Sequence, residues 1–177
     1  FSSFNMGNFS DDSPLNISEN REILARMLYA DINRFIIPHQ THGTKVLTID
    51  SNFLSLDHAS AIEALYGVDA VITREKEIYL CITTADCVPV ILYDRHNEII
   101  AAIHAGWKGT VGRIVEKTVI AMEKQFGSLP EDMIAGIGPA IGMSNYEVGN
   151  EVVDRFYEEG FDLTDVASFS RKTPSSK

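Results

Sequence analysis

The chain has 177 residues, 45% of them hydrophobic and 23% charged, with a formal net charge of −10. That is enough for one domain, residues 1–177, with a full core and an ordinary soluble composition. The acidic balance excludes broad, sequence-independent nucleic-acid binding, which needs a basic footprint. Two cysteines make no disulfide framework, no charged-then-apolar leader opens the sequence and no apolar run reaches transmembrane length. The expected setting is reducing and cytoplasmic, without a membrane partner.

In chain order, residues 1–15 read as irregular, because Gly, Asn, Ser, Asp and Pro crowd together. Asn16 with Glu19 resembles a capping box, and Ile17, Leu24, Met27 and Leu28 share a helical face, so a helix is expected over about 17–30. Arg34–Ile37 and Lys45–Asp50 are strand candidates, the first stopped by Pro38. A short helix is expected near Ala59–Leu65. Val68–Thr73 and Ile78–Thr83 read as strands around a charged turn, and Val88–Tyr93 and Glu98–His104 as a second pair around Asp94–Asn97. Pro89 lacks an N–H for a ladder, so it marks a strand start, edge or bulge. Val111–Phe126 has the helical period, with Gly127 as C′ residue and Pro130 as stop. Met133–Ile137 reads as a strand and Glu147–Glu159 as a last helix. Interleaved strands and helices predict an α/β fold; the order of the strands is not legible.

Three residues sit where strands meet loops: His42 in Gln40-Thr41-His42-Gly43, Cys87 before Val88-Pro89, and His104 before Ala105-Gly106-Trp107-Lys108-Gly109. A thiolate and two imidazoles suit Zn²⁺, and three protein ligands leave a fourth position for water or substrate, the pattern of catalytic zinc. A zinc-bound water becomes a nucleophile near neutral pH. The ligands are 45 and 17 residues apart (42 to 87, 87 to 104), so spacing by itself says little. Cys87 as a buried thiol, and the His104 corner as a plain turn in which Trp107 packs, stay open beside this. Cys81, inside an apolar run, reads as a small core hydrophobe, and His58 and His96 as solvated loop residues. The two glycines after His104 permit a close backbone approach, and a helix start with Lys108 beside it suits an anion.

These residues resemble a known family, the laccase-domain or YfiH-like proteins, also called multicopper polyphenol oxidases and later described as purine nucleoside phosphorylases. The motifs occur in order: Ser3-Phe4-Asn5-Met6-Gly7, Asp11-Asp12, Glu19-Asn20-Arg21, Gln40-Thr41-His42-Gly43, Val68-Asp69-Ala70-Val71-Ile72-Thr73, Thr84-Ala85-Asp86-Cys87-Val88-Pro89, His104-Ala105-Gly106-Trp107-Lys108-Gly109, Gly138-Pro139-Ala140-Ile141-Gly142 and Tyr146-Glu147-Val148-Gly149. The resemblance implies a mixed sheet with flanking helices in a layered αβα arrangement, truncated here at both ends. It implies His42, Cys87 and His104 as metal ligands, normally for zinc. It implies phosphorolysis of adenosine, inosine, guanosine and 5′-methylthioadenosine to base and ribose 1-phosphate, and adenosine deamination. The expected partners are a purine nucleoside and phosphate. Lys108 and Arg21 are candidates for the phosphate, and Asp86 and Glu147 for acid–base help or for bracing a loop. Asp69 receives no role beyond structure. Alternatives are a copper-dependent polyphenol oxidoreductase, for which five histidines are few, a peptidoglycan editing factor, and a non-catalytic metal-stabilised module.

Overall fold

The computed structural model describes residues 4–7, 11–164 and 167–168. Much of the irregular stretch expected over 1–15 lies outside these. The chain falls into two compact units, Phe1–Ala140 and Ile141–Lys177.

The first unit opens with α1, Pro14–Met27. The expected capping box at Asn16 and Glu19 is not its start. Ser13 is the N-cap, its side chain accepting from the Leu15 N–H, and Pro14 follows at the first turn, where a missing N–H costs nothing. The helix also stops three residues early, with Tyr29 turning to φ 52°. Next come β1 (Phe35–Ile36), β2 (Lys45–Ile49), α2 (Ser51–Leu54), α3 (His58–Leu65), β3 (Val68–Thr73), β4 (Tyr79–Leu80), β5 (Val88–Asp94), β6 (Ile99–Ala105), α4 (Trp107–Val111), α5 (Ile114–Phe126) and β7 (Met133–Ile137). The expected strands 34–37 and 78–83 shrink to two residues each, because β1 and β4 pair only with one another. The helix expected over 111–126 starts at Trp107 and breaks at Gly112–Arg113, where Arg113 takes φ 58°. Gly127 closes α5 in the left-handed region, as expected.

Five strands form one mixed sheet in the order β2-β3-β6-β5-β7. β2 and β3 are parallel; the other pairs are antiparallel. β3 is buried at all six positions because both faces of the sheet are covered. On one face Ala70, Ile72, Val90, Leu92, Ala101 and Ile103 pack with Ile114 and Met122 of α5. On the other, Leu47, Ile49, Val71 and Ala102 pack with Phe53 of α2, Ala61, Ala64 and Leu65 of α3, and residues of β1 and β4. Pro89 is the second residue of β5, which lies between β6 and β7. Its carbonyl accepts from the Gly138 N–H (2.9 Å), and a Cβ at Gly138 would lie 2.7 Å from the proline ring. The second unit carries α6, Asn150–Glu158, with Val152 buried and Phe156 edge-on to Phe161. Among the described residues, no helix is long and apolar enough to cross a membrane.

Candidate metal centre

The sheet brings the motifs together because antiparallel pairing sets one strand's end beside another's start. Val88 pairs with Ala105, so Cys87, before β5, meets His104, near the end of β6. Ala70 pairs with Ile103, so Asp69 meets His104 from the other side. Lys45 pairs with Val68, so the loop carrying His42 arrives at the same edge.

Asp69 is the centre of the arrangement. It lies where the β2–β3 register slips: Lys45 faces Val68 but Val46 faces Ala70, leaving Asp69 as the extra residue of a bulge, which re-aims its side chain. Fully buried, its carboxylate accepts the main-chain N–H groups of Thr41 (3.2 Å), His42 (2.9 Å) and Gly43 (2.7 Å). Three successive N–H groups converge on one anion because His42 adopts φ 62°, a left-handed conformation held by these bonds. The same carboxylate lies 2.7 Å from Nδ1 of His104, whose side chain is 3% exposed. An ionised acceptor there fixes the Nδ1–H tautomer and leaves Nε2 as the lone-pair donor, the support that metal-bound histidines receive from carboxylates. Burial by itself would raise the Asp69 carboxyl; the bonds from His104, Gly43 and Thr41 outweigh it and hold the group below its ordinary range.

The donor atoms of His42, Cys87 and His104 all lie within 4.8 Å of one another. The two imidazoles meet edge-to-face, ring centroids 4.8 Å apart. Tetrahedral zinc with ordinary bond lengths sets such donors about 3.3–3.6 Å apart, so the widest-spaced donors close by up to about 1.5 Å on taking up the ion. Gly106 keeps the space between them open. A Cβ there would stand 2.9 Å from His42 Cδ2, 3.2 Å from Cys87 Sγ and 3.7 Å from His104 Cε1. Burial, then the charges of Asp86 and Asp69, push the Cys87 thiol up, so a thiolate at this place needs a cation beside it. The donor set therefore fits a divalent metal with a preference for nitrogen and sulfur.

The remaining sequence candidates lie differently. Lys108 is exposed on α4, its Nζ 5.6 Å from the Trp107 ring centroid. The glycines of that corner serve packing against the His42 loop: a Cβ at Gly109 would meet the Gly43 carbonyl at 3.0 Å, and one at Gly112 the Thr44 methyl at 2.5 Å. Arg21 donates through Nε (3.1 Å) and Nη2 (2.8 Å) to the Met6 carbonyl, tying the N-terminal segment to α1. A cavity of about 540 Å³ beside α1, lined by Asp12, Ile17, Arg21 and Glu22 among others, contains none of the three donors. Asp86 is exposed next to Cys87, and Glu147 is exposed in the second unit. Cys81 is half-buried beyond the short β4 rather than inside a core strand, and burial raises its thiol. His58 and His96 are exposed, as expected, though His58 opens α3 rather than lying in a loop. Asp69, to which the sequence assigned no role, carries a signal: a lone carboxylate inside an apolar strand must be paired.

A mixed five-stranded sheet that gathers a His–Cys–His donor set at one edge, braced by a buried aspartate, defines an α/β protein with a candidate metal centre. The chain belongs to the multi-copper polyphenol oxidoreductase laccase family, whose model matches residues 1–177. It is similar to a purine nucleoside phosphorylase of Bacteroides thetaiotaomicron (43% identical, covering 98% of this chain and 64% of the relative). It is also similar to adenosine deaminase RL5 of an unknown prokaryotic organism (40%, covering 94% and 63%). Among solved structures it resembles the Bacillus licheniformis hypothetical protein YfiH (TM-score 0.86, 31% identical, covering 97% of this chain and 64% of that one). The chain thus spans under two thirds of the length of these relatives.

Proposed function

We propose that this chain carries the metal centre of a zinc-dependent purine nucleoside enzyme. It would convert adenosine, inosine, guanosine or 5′-methylthioadenosine and phosphate to free base and ribose 1-phosphate, and deaminate adenosine. The observation that carries this is the convergence of His42, Cys87 and His104 at one sheet edge; the names of the relatives supply the substrate class. His42, Cys87 and His104 would hold the ion, which supplies Lewis-acid activation when bound. Asp69 keeps the His104 tautomer and the His42 loop in place. Asp86, exposed beside Cys87, is the proposed proton-exchanging group for a substrate at the centre. Lys108 is the proposed phosphate contact, a point charge on the exposed side of α4. Arg21 is the weaker candidate, since its guanidinium holds the Met6 carbonyl. Both cysteines are free thiols, which suits a reducing cytoplasm.

The family's description favours a second reading, a copper-dependent polyphenol oxidoreductase. Among the described residues one cluster alone has metal-ligand character. His39 stacks on Tyr66, and His58 and His96 stand exposed elsewhere. A multicopper arrangement needs more converging imidazoles than this.

The test is elemental analysis of protein purified without added metal, followed by a product assay with adenosine with and without phosphate. About one zinc per chain is expected, with adenine and ribose 1-phosphate formed only with phosphate, and inosine formed without it. Several coppers per chain, with phenol oxidation and no nucleoside turnover, would overturn the proposal in favour of the oxidase.

A further inference from the structure

Asp69 ties two of the three ligands together, through the His42 main chain and the His104 ring. Cys87 is outside that arrangement. It ends the segment 82–87, in which Thr84, Ala85 and Asp86 are exposed and no ladder forms. Among the described residues, the hydrogen bonds that hold this segment come from one side chain. Gln40, 6% exposed and two residues before His42, donates from Nε2 to the Thr83 carbonyl (2.8 Å). Its Oε1 accepts from the Thr83 N–H (2.8 Å) and from the Thr83 hydroxyl (3.1 Å). A side-chain amide here reproduces the donor–acceptor pair of a strand partner.

Fixing a glutamine in one rotamer costs side-chain entropy. Burying its amide is tolerable only because donor and acceptor are both used. The two ends of this clamp sit on the loop that carries His42 and on the segment that ends at Cys87. Asp69 spans the His42–His104 side of the ligand triangle and the β5–β6 pairing the Cys87–His104 side; the clamp spans the third, His42–Cys87.

We propose that Gln40 is a positioning residue of the metal centre: through Thr83 it sets the separation of Cys87 from His42, and so the affinity and coordination geometry for the ion. The proposal rests on the metal-centre reading above. An outer partner that orients ligands typically controls metal affinity by 10–100-fold, roughly the effect expected here.

The experiment compares the parent with Gln40→Ala, Gln40→Glu and Thr83→Val. It measures zinc affinity by chelator competition and the absorption spectrum of the cobalt(II)-loaded protein, whose ligand-field and thiolate charge-transfer bands report geometry. Gln40→Ala is expected to weaken zinc binding by about 10–100-fold and to shift the cobalt bands. Gln40→Glu keeps the acceptor bonds to Thr83 but sets a carboxylate against the Thr83 carbonyl, so it should fall between. Thr83→Val removes the hydroxyl bond alone and should stay near the parent. Parent-like zinc affinity and cobalt bands in Gln40→Ala, whatever its melting temperature, would make Gln40 a structural brace and overturn the inference. If Gln40→Ala does not fold, parent-like values in Gln40→Glu do the same. A parent that binds neither ion overturns the metal reading itself, and this inference with it.

Discussion

Replacing Gly106 by alanine adds one methyl group at the place the three donors share. The backbone there is ordinary, φ −70° and ψ 169°, so alanine is conformationally allowed and the whole effect is steric. The new Cβ would stand 2.9 Å from His42 Cδ2. Carbon atoms rest at about 3.5–4.0 Å, so the His42 ring must retreat by roughly 0.6–1.1 Å, with a smaller displacement of Cys87. Metal–ligand distances tolerate about ±0.2 Å, so the site loses its geometry even if the fold holds. Stability should fall, by at most about 2–3 kcal/mol: overpacking costs about 1–3 kcal/mol, partly offset by about 0.4–1 kcal/mol from the less flexible unfolded chain. Zinc titration against a competing chelator, alongside thermal melting, checks this. The expected outcome is a folded protein with zinc affinity reduced by at least about tenfold. Parent affinity in Gly106→Ala would show that the ion does not sit among these three residues, and the reasoning from the Gly106 space would fail.

Cys87→Ala should abolish zinc binding and nucleoside turnover, while Cys81→Ala should keep both and lose about 1 kcal/mol of packing, as read by metal analysis and denaturant melts; metal loss in the Cys81 variant instead would reverse the assignment. Asp94, fully buried, accepts from the His96 and Asn97 N–H groups and the Asn97 amide. Burial pushes its carboxyl up, but these bonds win and hold it well below the carboxylate range; the buried Ser128 hydroxyl lies close enough to assist yet makes no hydrogen bond of good geometry. Because the folded-state pKa is depressed, the stabilisation is present above the unfolded pKa of about 3.9 and fades as pH falls through and below it. Asp94→Ala should therefore cost about 1–3 kcal/mol at neutral pH, with the gap to the parent narrowing in acid; a gap constant from neutral pH to pH 2 would contradict this. Lys108→Ala should raise the apparent phosphate KM of phosphorolysis and spare phosphate-independent deamination, and unchanged phosphate dependence would place the phosphate elsewhere.

Local pattern sufficed for much of the first unit. The β-branched runs of β3, the turn at Asp94–Asn97 between β5 and β6, and the five residues of β7 are legible because alternation and turn chemistry act over a few neighbours. The three donor residues were legible as chemical types at strand–loop boundaries, and family motifs named them. Pairing is another matter. The sheet order, with β6 between β3 and β5, joins segments whose affinity for one another leaves no local trace, and the strands expected over 34–37 and 78–83 shortened because each found a two-residue partner. The glycines after His104 announced a close approach, but only packing shows that the neighbour is the His42 loop. Asp69 looked structural because its partners, the N–H groups of residues 41–43 and the ring of His104, lie 26 to 35 residues away. A buried carboxylate must find donors wherever the fold supplies them, so the sequence shows that Asp69 needs partners, and the tertiary structure alone shows that meeting that need assembles the site.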